Sequence, residues 1–461
     1  MTRWAASSPK LRIALCHPDL GIGGAERLVV DAAMELKKRG HEVLIFTAHH
    51  DRQHCFEETL GGDLPVVVYG DFLPRSIFNR LHAVCAYIRC LYVAFCMVLF
   101  WHTFDVVFVD QVSAVIPVFR MKSSSKILFY CHFPDMLLAQ HTTTLRKLYR
   151  KPLDWLEETT TGKADLVLVN SEFTASTFAE TFKTLNKYGM RPSVLYPAVD
   201  IDQFYTQKKP CTNGPFFLSI NRFERKKNIG LAISSFAAVR RELATVRVDE
   251  KCEIAASVDV RLVIAGGYDD RLAENREYLQ ELKTLVSDEG ISGFVDFEPS
   301  CSTARKNELL ASCIAVIYTP MKEHFGIVPL EAMGAAKPVI ACNSGGPKES
   351  VEHSVTGFLC ENSARSFASA MLVFFREPSR AELMGVAARK HVETKFSRTV
   401  FGFLHVQRAN PRCSVELRPG VLMCCRRLHN NPHERKCVRC GWKKSLPREK
   451  SETEVYQSQG S

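Results

Sequence analysis

The first residues, Met1 to Lys10, contain no apolar stretch, so no secretory signal is expected and reduced, cytosolic thiols are. A complete G-x-G-x-x-G is also missing where the first strand meets the first helix. Gly21, Gly23 and Gly24 fall short of it, which makes a weak dinucleotide signal. No D-x-D stands at a strand end in a metal-binding context, since Asp269-Asp270 follows a glycine turn on another loop. The N-terminal half offers no acid and base carboxylate pair of the kind a sugar-nucleotide epimerase needs. Sustained periodicity is absent beyond about residue 398, where Pro411, Pro419, Pro432 and Pro447 interrupt the chain.

What is present is ordinary globular composition: 46% hydrophobic and 24% charged residues over 461 positions, enough for two or three domains with their own cores. Many of the 17 cysteines lie in apolar runs such as Leu15-Cys16 and Ala94-Phe95-Cys96-Met97. Strands are expected at Leu11 to Cys16, Val43 to Thr47, Val66 to Tyr69, Val106 to Val109, Ile127 to Tyr130 and Leu166 to Val169, with Ser171 capping the next helix. Alternating βα units of this length predict a parallel, doubly wound sheet over residues 1–205. A linker falls near Tyr196-Pro197-Ala198-Val199-Asp200, and a polar stretch from Thr206 to Gly214 precedes a second α/β domain, 214–398.

Four loops of that second domain carry chemistry. Ser219-Ile220-Asn221-Arg222 ends a strand, and Lys227 follows before a helix; Arg222 as a fork and Lys227 as a point charge suit a diphosphate. Leu262 to Gly267 is a buried strand ending in two glycines, Gly266 and Gly267. Pro338 to Cys342 is another, followed by the helix mouth Asn343-Ser344-Gly345-Gly346-Pro347-Lys348-Glu349. The most informative stretch is Glu323-His324-Phe325-Gly326-Ile327-Val328-Pro329-Leu330-Glu331. Gly326 stands at the mouth of an apolar helix, where unpaired N–H groups favour an anion, and Pro329 is tolerated in the first turn. Glu323 lies before that start and Glu331 inside it, both placed to accept hydrogen bonds from polyol hydroxyls. On spacing alone the same residues also fit two solvated glutamates flanking a core helix.

The ordered set N-R-F-E-R-K-K-N, I-A-G-G-Y, E-H-F-G-I-V-P-L-E and N-S-G-G-P-K-E resembles the donor half of GT-B glycosyltransferases of family 4. With H-P-D-L-G-I-G-G-A-E-R and Y-C-H-F-P-D, residues 10 to 398 are similar to the GDP-mannose-dependent branch that builds dolichol-linked oligosaccharides. The resemblance implies two doubly wound Rossmann-like domains facing a cleft. It implies GDP-mannose as donor, a dolichyl-diphosphate oligosaccharide as acceptor, and α-1,3 then α-1,6 transfer at the cytosolic face of the endoplasmic reticulum, beside other early glycosyltransferases. It puts Arg222 and Lys227 on the diphosphate, Glu331 on the ribose, Glu323 on mannose hydroxyls, and the Gly326-Ile327-Val328 backbone on the sugar. Gly23, Gly24 and Gly266 would approach the donor, and His132 would face the sugar and leaving phosphate, although a lone histidine at a strand end is commonly structural. Neither cofactor, metal nor nucleic acid is expected.

Two segments depart from a plain soluble enzyme. Residues 83–101 are almost wholly apolar and long enough to span a bilayer, interrupted by Arg89. A crossing would split one sheet, which leaves a buried Rossmann helix or a helix lying in the cytosolic leaflet, Arg89 snorkelling and Arg75, Arg80, Lys147, Arg150 and Lys151 near headgroups. The tail, 399–461, holds 12 Lys/Arg against 5 Asp/Glu from Gly402 onward, with Cys413, Cys424, Cys425, Cys437 and Cys440. It departs from the family's closing helix at Arg398-Thr399-Val400. A disordered tail is expected, with a zinc knuckle at Cys437 and Cys440 as the lesser alternative. A catalytically impaired binding form therefore stands beside the transferase reading.

Overall fold

The computed structural model describes residues 10–77, 81–122, 124–138, 144–204, 214–246 and 260–401. Polar stretch 206–213, Arg80, the Lys147 side chain and the cysteine-bearing tail lie outside the described residues.

Among them, β1 (Arg12–His17), β2 (Glu42–Thr47), β3 (Val66–Val68), β4 (Val106–Asp110), β5 (Lys126–Cys131), β6 (Leu166–Val169) and β7 (Ser193–Val194) form one parallel sheet in the order β3-β2-β1-β4-β5-β6-β7. A second parallel sheet contains β8 (Phe216–Ile220), β9 (Arg261–Gly266), β10 (Val295–Pro299), β11 (Val316–Tyr318), β12 (Val339–Cys342) and β13 (Gly357–Cys360), ordered β10-β9-β8-β11-β12-β13. Central strands such as β4 and β12 are buried along their whole length, as helices on both faces of a parallel sheet require. Chain order reverses between β1 and β4 in the first sheet and between β8 and β11 in the second. Open α/β sheets bind ligands beyond the carboxyl ends of strands at such reversals.

The apolar run becomes helix α2, His82–Phe100. Cys90, Val93, Ala94 and Met97 enter the core over the first sheet. Ile88, Tyr92, Phe95 and Leu99, spaced as one helical stripe, remain 39–71% exposed. The helix therefore has one core face and one bare apolar face. It joins β3 to β4 of the same parallel sheet, so it runs back along one face from the carboxyl edge to the amino edge. Two basic residues differ from expectation. Arg89 is 4% exposed and pairs with Asp19 at 2.9 Å, so its guanidinium is held inside the protein and does not snorkel. Arg150 is likewise buried against Asp135 at 2.7 Å and Asp154 at 3.1 Å.

The helix Pro378–Lys395 leads into a return crossing. Val199 donates its N–H to the Phe396 carbonyl at 2.9 Å. Arg398 then pairs with Asp31 at 2.7 Å and Asp200 at 2.8 Å, and Phe401 is buried among Leu28, Val29 and Leu36. The segment 398–401 packs back onto the first sheet's helices; the closing helix that the resemblance implies would continue past residue 401, outside the described residues. Arg398 holds the segment there: its guanidinium pairs with Asp31 of the helix after β1 and with Asp200 in the linker.

Candidate active site at the two chain reversals

In the second sheet, β8 and β11 end beside each other, and their loops carry the paired charges. Lys227, 8% exposed, places Nζ 2.7 Å from Glu323 Oε2. Its carbonyl accepts from Thr319 Oγ1 at 2.8 Å, which ties its loop to the end of β11. Glu331, in the helix Ile327–Gly334, meets Lys306 Nζ at 2.7 Å. Each carboxylate of the pair thus has its own lysine. Lys306 was not found from sequence, because its helix, Thr303–Ser312, shows no motif and only folding brings it beside Glu331.

The glutamate loop is shaped by close packing. Gly326 has φ +83°, and a Cβ there would lie 2.8 Å from the Tyr318 hydroxyl, so no other residue fits without strain. It begins the helix with no side-chain cap, leaving the first-turn N–H groups of Ile327 and Val328 available to an anion or a sugar oxygen. Gly346 donates its N–H to the Glu323 carbonyl at 2.8 Å, and Lys322 donates to Ser344 Oγ at 3.0 Å. The glycine-rich mouth after β12 therefore buttresses the glutamate loop.

Gly266 backs against Asn221, so its close approach is to protein backbone. Gly267 makes room for the stem of Arg222, whose Cγ would be 3.2 Å from a Cβ there. Arg222 itself is exposed and reaches Glu224 at 3.1 Å. The structure does not place it against Lys227; it lies at the surface of the same loop.

The first sheet brings together residues far apart in sequence. His17 and Asp110 are the last residues of β1 and β4, and His132 follows β5. Asp110, fully buried, accepts from His17 Nδ1 at 2.8 Å and from His132 Nε2 at 2.8 Å. Burial alone would raise the Asp110 carboxyl pKa, but the two imidazoles hold it below the usual carboxylate range. Burial would lower His17, yet Asp110 first, then Glu26 and Asp19, hold its pKa above the ordinary histidine value. His17 opens the H-P-D-L-G-I-G-G-A-E-R run but was not singled out in it, and Asp110 stands in no motif; the available signal was a polar residue closing each of two apolar strands beside the reversal. Gly23 and Gly24 open α1 (Gly24–Lys38), also without a side-chain cap, and the Glu26 carboxylate packs over Gly23.

The two halves meet across this region. Phe133 stacks on His324 with ring centroids 3.6 Å apart and planes at 7°. Ser171 Oγ donates to the His324 carbonyl at 2.6 Å. Glu349 accepts the N–H groups of Glu172 at 2.7 Å and Phe173 at 2.8 Å, capping a helix of the opposite half. Burial first, with Lys227, Lys226 and His132 adding to it, pulls His324 down to about 4 despite Glu323.

Two family models tile this body: Glycosyltransferase Family 4 over residues 22–203 and Glycosyl transferases group 1 over residues 201–391. Among solved structures, sucrose-phosphate synthase from Thermosynechococcus elongatus has a TM-score of 0.67 at 18% identity, covering 87% of this chain and 98% of that one. Anabaena Alr3699/HepE in complex with UDP and glucose has a TM-score of 0.62 at 19% identity, covering 86% and 99%. Two Rossmann-like sheets with their chain reversals turned to one cleft define a glycosyltransferase of the GT-B plan. Sequence relatives narrow the class. Alpha-1,3/1,6-mannosyltransferase ALG2 of Homo sapiens is 49% identical over 406 residues, covering 86% of this chain and 94% of the relative. The protein of the same name from Saccharomyces cerevisiae is 43% identical over 380 residues, covering 76% and 72%. The chain belongs to the alpha-1,3/1,6-mannosyltransferase family.

Proposed function

We propose that the chain takes mannose from GDP-mannose and adds it, with retention at the anomeric carbon, to dolichyl-diphosphate-linked Man-GlcNAc2, first α-1,3 and then α-1,6. The observation that carries this reading is the pair of lysine-held carboxylates, Lys227–Glu323 and Lys306–Glu331, at the uncapped mouth of the Ile327–Gly334 helix. Glu331 accepts the ribose hydroxyls and Glu323 those of mannose. Gly326, Ile327 and Val328 offer backbone N–H groups to the sugar and phosphates.

When the anomeric C–O bond breaks, the electron pair leaves with the diphosphate. Lys227 sits at the loop that would receive it, and Arg222, exposed on a glycine-lined loop, swings in from Glu224. The helix N-termini at Gly326 and at Gly23-Gly24 add partial positive charge. The acceptor hydroxyl forms the new bond at the same carbon and gives its proton to the departing phosphate oxygen. Fixed cations and dipoles meet the developing charge, so the reading requires no metal.

The acceptor's lipid chain fixes where this occurs. The bare stripe Ile88, Tyr92, Phe95 and Leu99 of α2 lies in the cytosolic leaflet of the endoplasmic reticulum, with both sheets on the cytosolic side. The return crossing through Arg398 and Phe401 supports a catalytically competent body over a binding form. Thermal denaturation tests the donor assignment: GDP at 100 times its dissociation constant stabilises the fold by about 2.7 kcal/mol. Equal stabilisation by UDP, or none by GDP, overturns it.

A further inference from the structure

We infer that Asp110 and His17 are positioning residues that fix His132 as its Nε2–H tautomer, leaving Nδ1 as a hydrogen-bond acceptor toward the cleft. This rests on the mannosyl-transfer reading and names how its histidine is prepared.

The argument begins with Asp110. A carboxylate with no exposed side-chain surface is tolerated only when its oxygens are met by donors. Oδ2 is 2.8 Å from His17 Nδ1 and Oδ1 is 2.8 Å from His132 Nε2. An ionised carboxylate has no proton to give, so both ring nitrogens must carry one. His17 is committed in this way whether neutral or charged; its other nitrogen lies 4.0 Å from Glu26, too far for a hydrogen bond. The groups facing the pair are Asp19 and Glu26 from the loop and helix after β1. They favour a proton on His17 and so keep Asp110 an acceptor.

His132 is fixed from several sides. Its carbonyl accepts from Asn170 Nδ2 at 2.9 Å. The Tyr130 ring meets it edge-on at a centroid distance of 4.8 Å. The chain just after it is held by Glu157, which accepts the N–H groups of Asp135 at 2.7 Å and Met136 at 3.1 Å. With Nε2 on Asp110, Nδ1 has no hydrogen-bond partner among the described residues, while the side chain keeps 23% exposure. With its proton on Nε2, the ring offers Nδ1 to a sugar hydroxyl. The opposite tautomer would instead donate to a phosphate oxygen. Asp110 thereby selects the sugar over the leaving group as the partner of His132.

Histidine-selective 15N spectroscopy on the wild-type chain tests this without a mutation that threatens the fold, the His132 signals being assigned by their loss in His132→Gln. The expected spectrum has a protonated Nε2 and an unprotonated Nδ1, and Nδ1 shifts on adding GDP-mannose but not GDP. An Nδ1–H tautomer, a mixture of tautomers, or equal response to GDP overturns the inference. Asp110→Asn should lower kcat about ten- to a hundredfold, the scale of one charge-assisted hydrogen bond, with KM for GDP-mannose unchanged. A parallel rise in KM, or unchanged kcat with a lost Nε2–H signal, refutes the positioning role. GDP-induced stabilisation of the wild type is the separate control: its absence refutes the donor reading itself.

Discussion

His324 links the cross-cleft contact to pH. Its ring lies flat on Phe133 at 3.6 Å, and burial with neighbouring Lys227 and Lys226 lowers its pKa to about 4. Unfolding returns it to roughly 6.5. Between those values the unfolded chain binds the extra proton, so stability rises with pH through this window and falls as pH drops. From pH 8 to pH 5 the linkage amounts to about 2 kcal/mol, or about 1–2 kcal/mol allowing for the ring's partial exposure. Glu157 works in the opposite direction. Burial raises it to about 7, so the folded state holds its proton longer and loses stability as pH rises from about 4.5 to 7. The wild-type curve alone therefore mixes two slopes. Comparison with His324→Asn separates them, since both proteins keep Glu157. Urea unfolding at pH 8 and pH 5 should give a variant penalty that shrinks by about 1–2 kcal/mol at the lower pH. A penalty equal at both pH values would refute the reasoning, as would an NMR titration placing His324 near 6.5.

Lys227→Ala and Arg222→Ala should each cost transfer about 2.7–4 kcal/mol in activation free energy, by analogy with oxyanion donors; wild-type turnover in either purified variant would remove it from the diphosphate. Glu331→Gln should chiefly raise KM for GDP-mannose, and Glu323→Gln should chiefly lower kcat, a split that steady-state kinetics reads directly. Transfer should survive excess EDTA; loss with chelator and recovery with Mg2+ or Mn2+ would show that the cations of the site do not suffice. Replacing Phe95 and Leu99, both on the bare face of α2, by Ser should release the protein from microsomes while GDP still stabilises the fold. Unfolding of the first domain instead would make α2 a core helix alone, and protease protection of either domain in sealed microsomes would show a crossing.

Much of this architecture was legible because parallel strands are buried on both faces and announce themselves as apolar runs. The strand expected at Leu166 to Val169 is β6 to the residue, and Ser171 caps the next helix by accepting from the Thr174 N–H. Edges were harder to read. β7 is two residues long, and β10 carries Asp296, Glu298 and Pro299, so neither has a hydrophobic run. The first strand ends one residue later than expected, at His17, and that residue belongs to the buried histidine pair. Motif spacing located the glutamate helix because its chemistry is local: a strained glycine, an early proline and two carboxylates eight positions apart around a helix start. Asp110, His17 and Lys306 were invisible because their partners are 93, 93 and 25 residues away, and only sheet order makes them neighbours. Arg89 misled for a related reason. A charge in an apolar run suggests a membrane interface until its partner, Asp19, 70 residues earlier, is seen.

The most direct test of the central claim is transfer of radiolabelled mannose from GDP-mannose to a phytanyl-diphosphate chitobiosyl-mannose acceptor by the purified full chain. The account predicts two successive additions, the first sensitive to α-1,3-mannosidase and the second α-1,6-linked, both abolished in Glu323→Gln Lys227→Ala. Failure of any transfer by a chain that GDP stabilises, or transfer from UDP-glucose in preference to GDP-mannose, would contradict it.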